Sequence, residues 1–329
     1  MVIILHIPEN YLSPSTCAVL GAVMLPVWYT AVKKVKSDVS KEKMPLIGIA
    51  AAFSFLSMMF NIPLPGGTTG HAVGGTLIAI LFGPYAACLA VSVALFIQAF
   101  FFGDGGILAF GANCFNMAFL LPFSGFFVYN KLKNSVNEYL AAGIGAYVGI
   151  NMAALFAAIE FGIQPLLFTD SAGQALYCPY PLSISIPAMM IGHLTIFGLA
   201  EVIFTVFVLS YLKKTSPSLF AANQTQNFGS KAIYALAAIL IVFTPLGLLA
   251  EGTAWGEWGA DELAEQDFLG HILGYTPAGM ENGFEFESFF PDYTVAGMPD
   301  EFAYILSAIM GTALLVIIFK IFVSVLKVE

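Results

Sequence analysis

The chain contains no arginine, and only 10% of its 329 residues are charged, where a soluble domain carries roughly 25%. Twelve lysines against 21 acidic residues leave a net charge of −9. That balance excludes a nucleic-acid binder, which must neutralise phosphates. Cysteine is scarce as well. Of the four, Cys17, Cys88 and Cys114 fall in apolar runs and Cys178 stands alone in a loop, so the sequence offers neither a disulfide framework nor a CxxC metal site. The absence of G-x-x-x-x-G-K-[ST] removes nucleotide hydrolysis through a P-loop, and no H-E-x-x-H or G-x-S-x-G equips a membrane hydrolase. Met1–Leu5 lacks the basic residue and apolar core of a secretory signal, and no internal repeat is visible. No polar stretch is long enough for a water-soluble catalytic domain.

What is present is hydrocarbon. Apolar residues make up 59% of the chain and gather in runs near 12–32, 45–61, 84–102, 107–128, 138–162, 185–211, 232–250 and 302–326. Runs of about 17–25 such residues read as membrane spans. Lysines cluster at 33–43, 131–133, 213–231 and 320–327, and the positive-inside rule puts each cluster in the cytoplasm. An even number of crossings must then separate Lys43 from Lys131, yet only three long runs lie between them. The Gly-rich stretch from Pro63 to Gly75, continuing through Thr76–Phe82 to Gly83-Pro84, supplies the fourth as a short broken span over 71–82. Broken backbone at membrane depth is tolerated where it lines a cavity, so this segment points to a binding site.

The expected fold is therefore an all-α polytopic membrane protein. A seven-span core over 1–212 leads through a cytoplasmic linker, 213–231, to a two-span appendage over 232–329 that encloses an external loop, 251–301. The N-terminus is expected outside a cell membrane and the C-terminus in the cytoplasm.

Few residues in these runs carry chemistry. His6 and His71 fall on the same external side, and imidazole suits Zn, Cu, Ni and Co; a solvated loop histidine is the ordinary alternative for each. His193 and Glu201, eight apart in one apolar helix, form a second pair, for which helix–helix hydrogen bonding competes with ligand chemistry. Glu160 and Gln164 read as packing glue. In the turn Phe102-Gly103-Asp104-Gly105-Gly106 glycine permits the reversal and Asp104 caps it, while Asp104 or Asn113 could instead orient a ligating imidazole. Twelve of the 21 acidic residues lie in 251–301, beside Trp255, Trp258, Tyr275 and Tyr293; that charge keeps a long external loop soluble, because its field on hydrated ions is screened within about 8 Å.

The opening His6-Ile7-Pro8-Glu9-Asn10-Tyr11-Leu12-Ser13-Pro14 resembles that of the cobalt- and nickel-uptake permeases of the energy-coupling-factor class. Further similarities follow in order: Gly70-His71-Ala72-Val73-Gly74-Gly75, Leu81-Phe82-Gly83-Pro84, Gln98-Ala99-Phe100, Phe102-Gly103-Asp104-Gly105-Gly106, Gly111-Ala112-Asn113 with Asn116-Met117, and Thr244-Pro245-Leu246-Gly247-Leu248. The two-span tail resembles the small auxiliary subunit of such systems, here fused. The resemblance implies a substrate-specific component with no enzymatic activity and no prosthetic group, which binds Ni²⁺ or Co²⁺ externally and relies on separate ATPase subunits and a transmembrane coupling subunit. It also implies the ligands: an N-terminal amine, the nitrogens of a histidine at position two, here His6, and the loop histidine, here His71. In this sequence His6 is preceded by Met1-Val2-Ile3-Ile4-Leu5. A start at Leu5, from a TTG codon read as Met, would restore the amine to the chelate. Two other functions compete, an intramembrane metalloenzyme using His71, His193 and Glu201 and an assembly subunit without ligand.

Overall fold

The computed structural model describes residues 6–40, 43–64, 68–220, 230–250, 254–256, 258–264, 267–268 and 271–325. Helix α1 (Pro14–Asp38) starts where the Ser13 hydroxyl accepts from the Thr16 N–H at 3.1 Å and Pro14 takes the first turn, both favourable at a helix N-terminus. After α2 (Met44–Met58), a hairpin of β1 (Ile62–Leu64) and β2 (Thr68–Gly70) pairs Ile62 with Gly70 and Leu64 with Thr68. Then come α3 (Gly75–Phe82), α4 (Pro84–Phe102), α5 (Phe110–Leu132), α6 (Glu138–Gly162) and α7 (Leu182–Thr215). The tail contributes α8 (Ser230–Phe243) and α9 (Asp300–Val325).

Among the described residues six helical stretches are long and apolar enough to cross a bilayer, and Met44–Met58 and Ile233–Leu249 are shorter apolar helices. The chain is a polytopic, all-α membrane protein. Helix α3 has only 8 residues, about 12 Å of rise against a hydrocarbon core of about 30 Å. His71–Gly74, which precede it, are not helical and are buried among neighbouring helices.

Small residues seat α3. Helices α5 and α6 cross with backbones nearly in contact, and the Thr76 side chain enters their groove. A Cβ on Gly125 would lie 2.1 Å from Thr76 Oγ1, and one on Gly149 would lie 2.7 Å from both that oxygen and the Leu121 carbonyl. The tail is packed on the core rather than apart from it. Helix α9 lies along α2, where the Phe55 ring would be 2.2 Å from a Cβ on Gly311, and the Tyr304 hydroxyl donates to the Met59 carbonyl at 3.1 Å.

The two ends of the bundle differ. At one end the Lys213 ammonium pairs with the Glu138 carboxylate, which joins the end of α7 to the start of α6 among the lysines. The opposite end gathers the N-terminal segment, the 103–109 turn, the end of α6 and the described parts of 254–299.

Gly149→Ala is expected to destabilise the protein by about 1–3 kcal/mol through overpacking, read as a lower apparent melting temperature in detergent. Gly21→Ala, where a Cβ meets nothing within 4 Å, should be neutral or mildly stabilising because alanine is the better helix former.

Candidate metal centre

The site is built on one reversal of chain. Helix α4 ends in a π-helical turn, Gln98–Phe102, and Gly103 and Gly105 take left-handed conformations (φ 71° and 93°) to present Asp104 inward. The same glycines admit the N-terminal segment. A Cβ on Gly105 would sit 2.9 Å from His6 Cβ, and one on Gly106 would sit 2.8 Å from the Glu9 nitrogen. The segment is then clamped residue by residue. Ile7 N–H donates to Asn113 Oδ1 at 3.0 Å, and its carbonyl accepts from Asn113 Nδ2 at 3.1 Å and from Gly106 N–H at 2.9 Å. The Glu9 carboxylate accepts from Leu108 N–H, and Asn10 exchanges two hydrogen bonds with the Phe284 backbone. Burial pushes the Glu9 carboxyl above its usual range, against the opposing pull of the backbone N–H groups of Leu108 and Ile107.

His6 is 2% exposed, His71 7% and Asp104 3%, so all three are out of bulk water. His6 Nδ1 lies 2.8 Å from Asp104 Oδ1. The carboxylate can only accept, so Nδ1 carries the hydrogen and the neutral ring keeps its lone pair on Nε2. That Nε2 is buried with no hydrogen-bond partner. The His71 ring stands edge-on to His6, with centroids 5.2 Å apart and planes at 65°. Its Nδ1 points to the Ala72 carbonyl at 3.2 Å, which again assigns the hydrogen to Nδ1 in the neutral ring. Two imidazoles, tautomerised alike, thus meet at the wall of one cavity of about 180 Å³ that Trp255, Met117 and His193 also line.

The Asp104 carboxylate has further partners. Its Oδ2 accepts from Tyr293 OH at 2.6 Å and from Gln98 Nε2 at 3.1 Å, and Gln98 Nε2 also reaches Tyr293 OH at 3.0 Å. Burial, and then the neighbouring Asp104 charge, push the Tyr293 phenol well above its usual pKa, so it stays a neutral donor. Tyr293 comes from the tail, 189 residues further along the chain. It and Asp292 adopt left-handed backbone conformations (φ 60° and 55°), which are costly for residues with a Cβ.

The His71 loop has a different anchor. Glu201 Oε2 accepts from Val73 N–H at 2.7 Å and Oε1 from Gly74 N–H at 3.0 Å, while the hydroxyls of Ser54 and Ser57 donate to the Val73 and Ala72 carbonyls. The non-helical backbone at membrane depth is thereby satisfied by side chains instead of water.

Several sequence expectations change here. Asn113 does not touch an imidazole; its amide matches both polar groups of the Ile7 backbone, while Asp104 alone reaches the His6 ring. His71 and His193 line the same cavity, because 71–74 enter the bundle before α3 begins. Glu201 grips the His71 loop, and His193 donates from Nδ1 to Met189 O at 2.8 Å within its own helix. The loop between α8 and α9 does more than carry charge, since it delivers Tyr293 to Asp104 and Trp255 to the cavity. Glu160 and Gln164 act as packing polar groups, accepting from Asn116 and from Ser13 N–H respectively. Leu5 lies outside the described residues. A histidine that chelates together with its own backbone nitrogen must use Nδ1, since only that atom closes a six-membered ring; here Nδ1 faces Asp104 and Nε2 is the open atom. Among the described residues no three His, Cys, Asp or Glu side chains stand close enough to hold a metal ion.

The fold and the paired imidazoles define a multi-pass membrane protein with a small ligand cavity near one end of its bundle. The cobalt uptake substrate-specific transmembrane region matches residues 6–219, the PDGLE domain matches 230–328, and the chain belongs to the first of these families. It is 51% identical over 318 residues to the probable fused nickel transport protein LarMN of Lactiplantibacillus plantarum, covering 96% of this chain and 97% of that protein. To the fused nickel transport protein NikMN of Rhodobacter capsulatus it is 46% identical, with 95% of each covered. The solved structure of a truncated transition metal transporter superposes with a TM-score of 0.62 at 55% identity, covering 64% of this chain and 99% of that one.

Tyr293→Phe is expected to cost about 1.5–3 kcal/mol, the range for a hydrogen bond to a charged group. The loss in thermal stability should largely disappear in an Asp104→Asn background, where the charge is gone, and a double-mutant cycle on the purified protein measures that coupling.

Proposed function

We propose that the chain is the substrate-specific membrane component of an ATP-driven Ni²⁺ or Co²⁺ uptake system, capturing the ion on the external side through nitrogen ligands. The observation that carries this reading is His6 Nε2, a lone pair buried without a partner, facing a cavity shared with His71 and held in its tautomer by Asp104. A carboxylate behind an imidazole fixes the ring and raises its basicity toward a metal. Imidazole nitrogen suits both ions, whose affinities are neighbours in the divalent series. The family match and the nickel-transporting relatives point to the same cargo.

In this reading His6 and His71 are ligands, Asp104 orients His6, and Asn113 fixes the backbone that carries it. An amine from a chain beginning at Leu5 would add a further nitrogen. The core 1–212 holds the ion, 213–231 is a cytoplasmic linker, and 232–329 is an appendage that packs against the core. The chain is not an enzyme and has no resident cofactor. ATP hydrolysis belongs to separate subunits, which act with a transmembrane coupling subunit to release the ion inward. The lysine-rich end faces the cytoplasm and the His6 end faces out.

In Ni²⁺ calorimetry on the purified chain, His71→Ala should abolish high-affinity binding without unfolding the protein. Asp104→Ala should weaken it about 10–100-fold, as loss of a group that orients a ligand does. Unchanged affinity in His71→Ala would overturn the assignment. For orientation, Ala278 is exposed on the described part of the tail loop. A cysteine there, in a background without the native cysteines, should react with an impermeant thiol reagent on intact cells; labelling only after lysis would reverse the topology.

A further inference from the structure

The cavity is longer than a two-imidazole site needs. Along α6 its wall runs from Phe161 to Ile150, eleven residues apart and so about 16 Å of helix. Alanines at 153, 154 and 157 keep that wall open. Its outer part carries His6, Asn113 and Trp255. Ile150 lies one turn from Tyr147, whose hydroxyl donates to the Leu194 carbonyl, so the inner part of the wall is level with His193.

The His193 ring is prepared as a donor in the same way as the outer pair. Its Nδ1 gives its hydrogen to the Met189 carbonyl at 2.8 Å, a group that can only accept, and the neutral ring therefore has its lone pair on Nε2. The residue opens a π-helical segment, His193–Phe197, inside α7; such segments recur at functional sites because they re-aim side chains. One ring touches both segments. Phe197 lies against Gly70, where a Cβ would approach within 2.6 Å of it, and meets the His193 ring edge-on at 5.2 Å. The residue before His71 and the imidazole of His193 thus share one phenyl neighbour.

We propose that His193 Nε2 is a second, weaker station for the transported divalent ion, in the same cavity as the His6–His71 site. The inference rests on the transport reading above. One imidazole with the ion's own waters, in a cavity that Met117 and Met189 also line, replaces the two-imidazole outer set. Affinity should be weaker by about two orders of magnitude, as the loss of a preorganised chelate implies. Weakness suits the role, because an ion in transit must be able to leave.

The test is anomalous diffraction at the nickel edge from crystals of the full chain in saturating Ni²⁺. Two peaks are expected, one between His6 and His71 and one at His193 Nε2. His193→Gln, whose amide can still donate to the Met189 carbonyl, should lose only the second peak; His193→Phe gives the same comparison with an aromatic ring retained. In uptake assays with the partner subunits present, His193→Gln should lower the maximal rate about tenfold with an unchanged half-saturating concentration, the pattern of a step after loading. Wild-type crystals with no peak beside His193, or a variant that keeps wild-type uptake, would overturn the proposal. A missing outer peak with the His193 peak retained would count against the outer ligand assignment and leave this one standing.

Discussion

The Asp104 carboxylate is the group on which one whole end of the protein depends. It is buried, and a buried carboxylate is tolerated only when its oxygens are met by donors. Those donors come from three parts of the chain: the imidazole of His6, the amide of Gln98 at the end of α4 and the phenol of Tyr293 in the tail. The anion therefore specifies where the N-terminal segment and the tail loop must sit. It also determines which nitrogen His6 presents to the cavity, so one charge sets both the local fold and the chemistry of the ring.

A second carboxylate plays the corresponding part for the other imidazole. Glu201 replaces the missing helical acceptors at the start of α3, receiving the N–H groups of Val73 and Gly74. Without such an acceptor, a chain that turns non-helical inside the hydrocarbon would leave several donors unsatisfied, each costly. The two histidines are thus placed by two different acids, Asp104 in the turn after α4 and Glu201 on α7.

Much of this was legible in the sequence and some could not have been. Apolar runs as long as a bilayer is thick identify the long helices directly. His71 and Asp104 stand out because glycine flanks them in apolar surroundings, and His6 stands out through the resemblance of the segment it opens. Tyr293 does not stand out: aromatic residues are common in membrane loops, and nothing local distinguishes one that will pair with a carboxylate 189 residues away. Glu201 reads as generic helix glue because its partners are backbone amides, which leave no trace in sequence. The depth of His193 was hidden for a related reason. The span-by-span reading assigns depth from helix positions, whereas here the non-helical loop moves to meet the helix.

The bond between Tyr293 and Asp104 joins the two regions matched by separate family models, and both residues lie on one polypeptide. A contact of this kind between independent subunits would depend on their abundance in the membrane and would be lost on dilution. Within one chain it is governed by an effective concentration, which for short flexible connections reaches about the millimolar range. Every copy of the core therefore carries its own phenol at a fixed one-to-one ratio, whatever the level of expression.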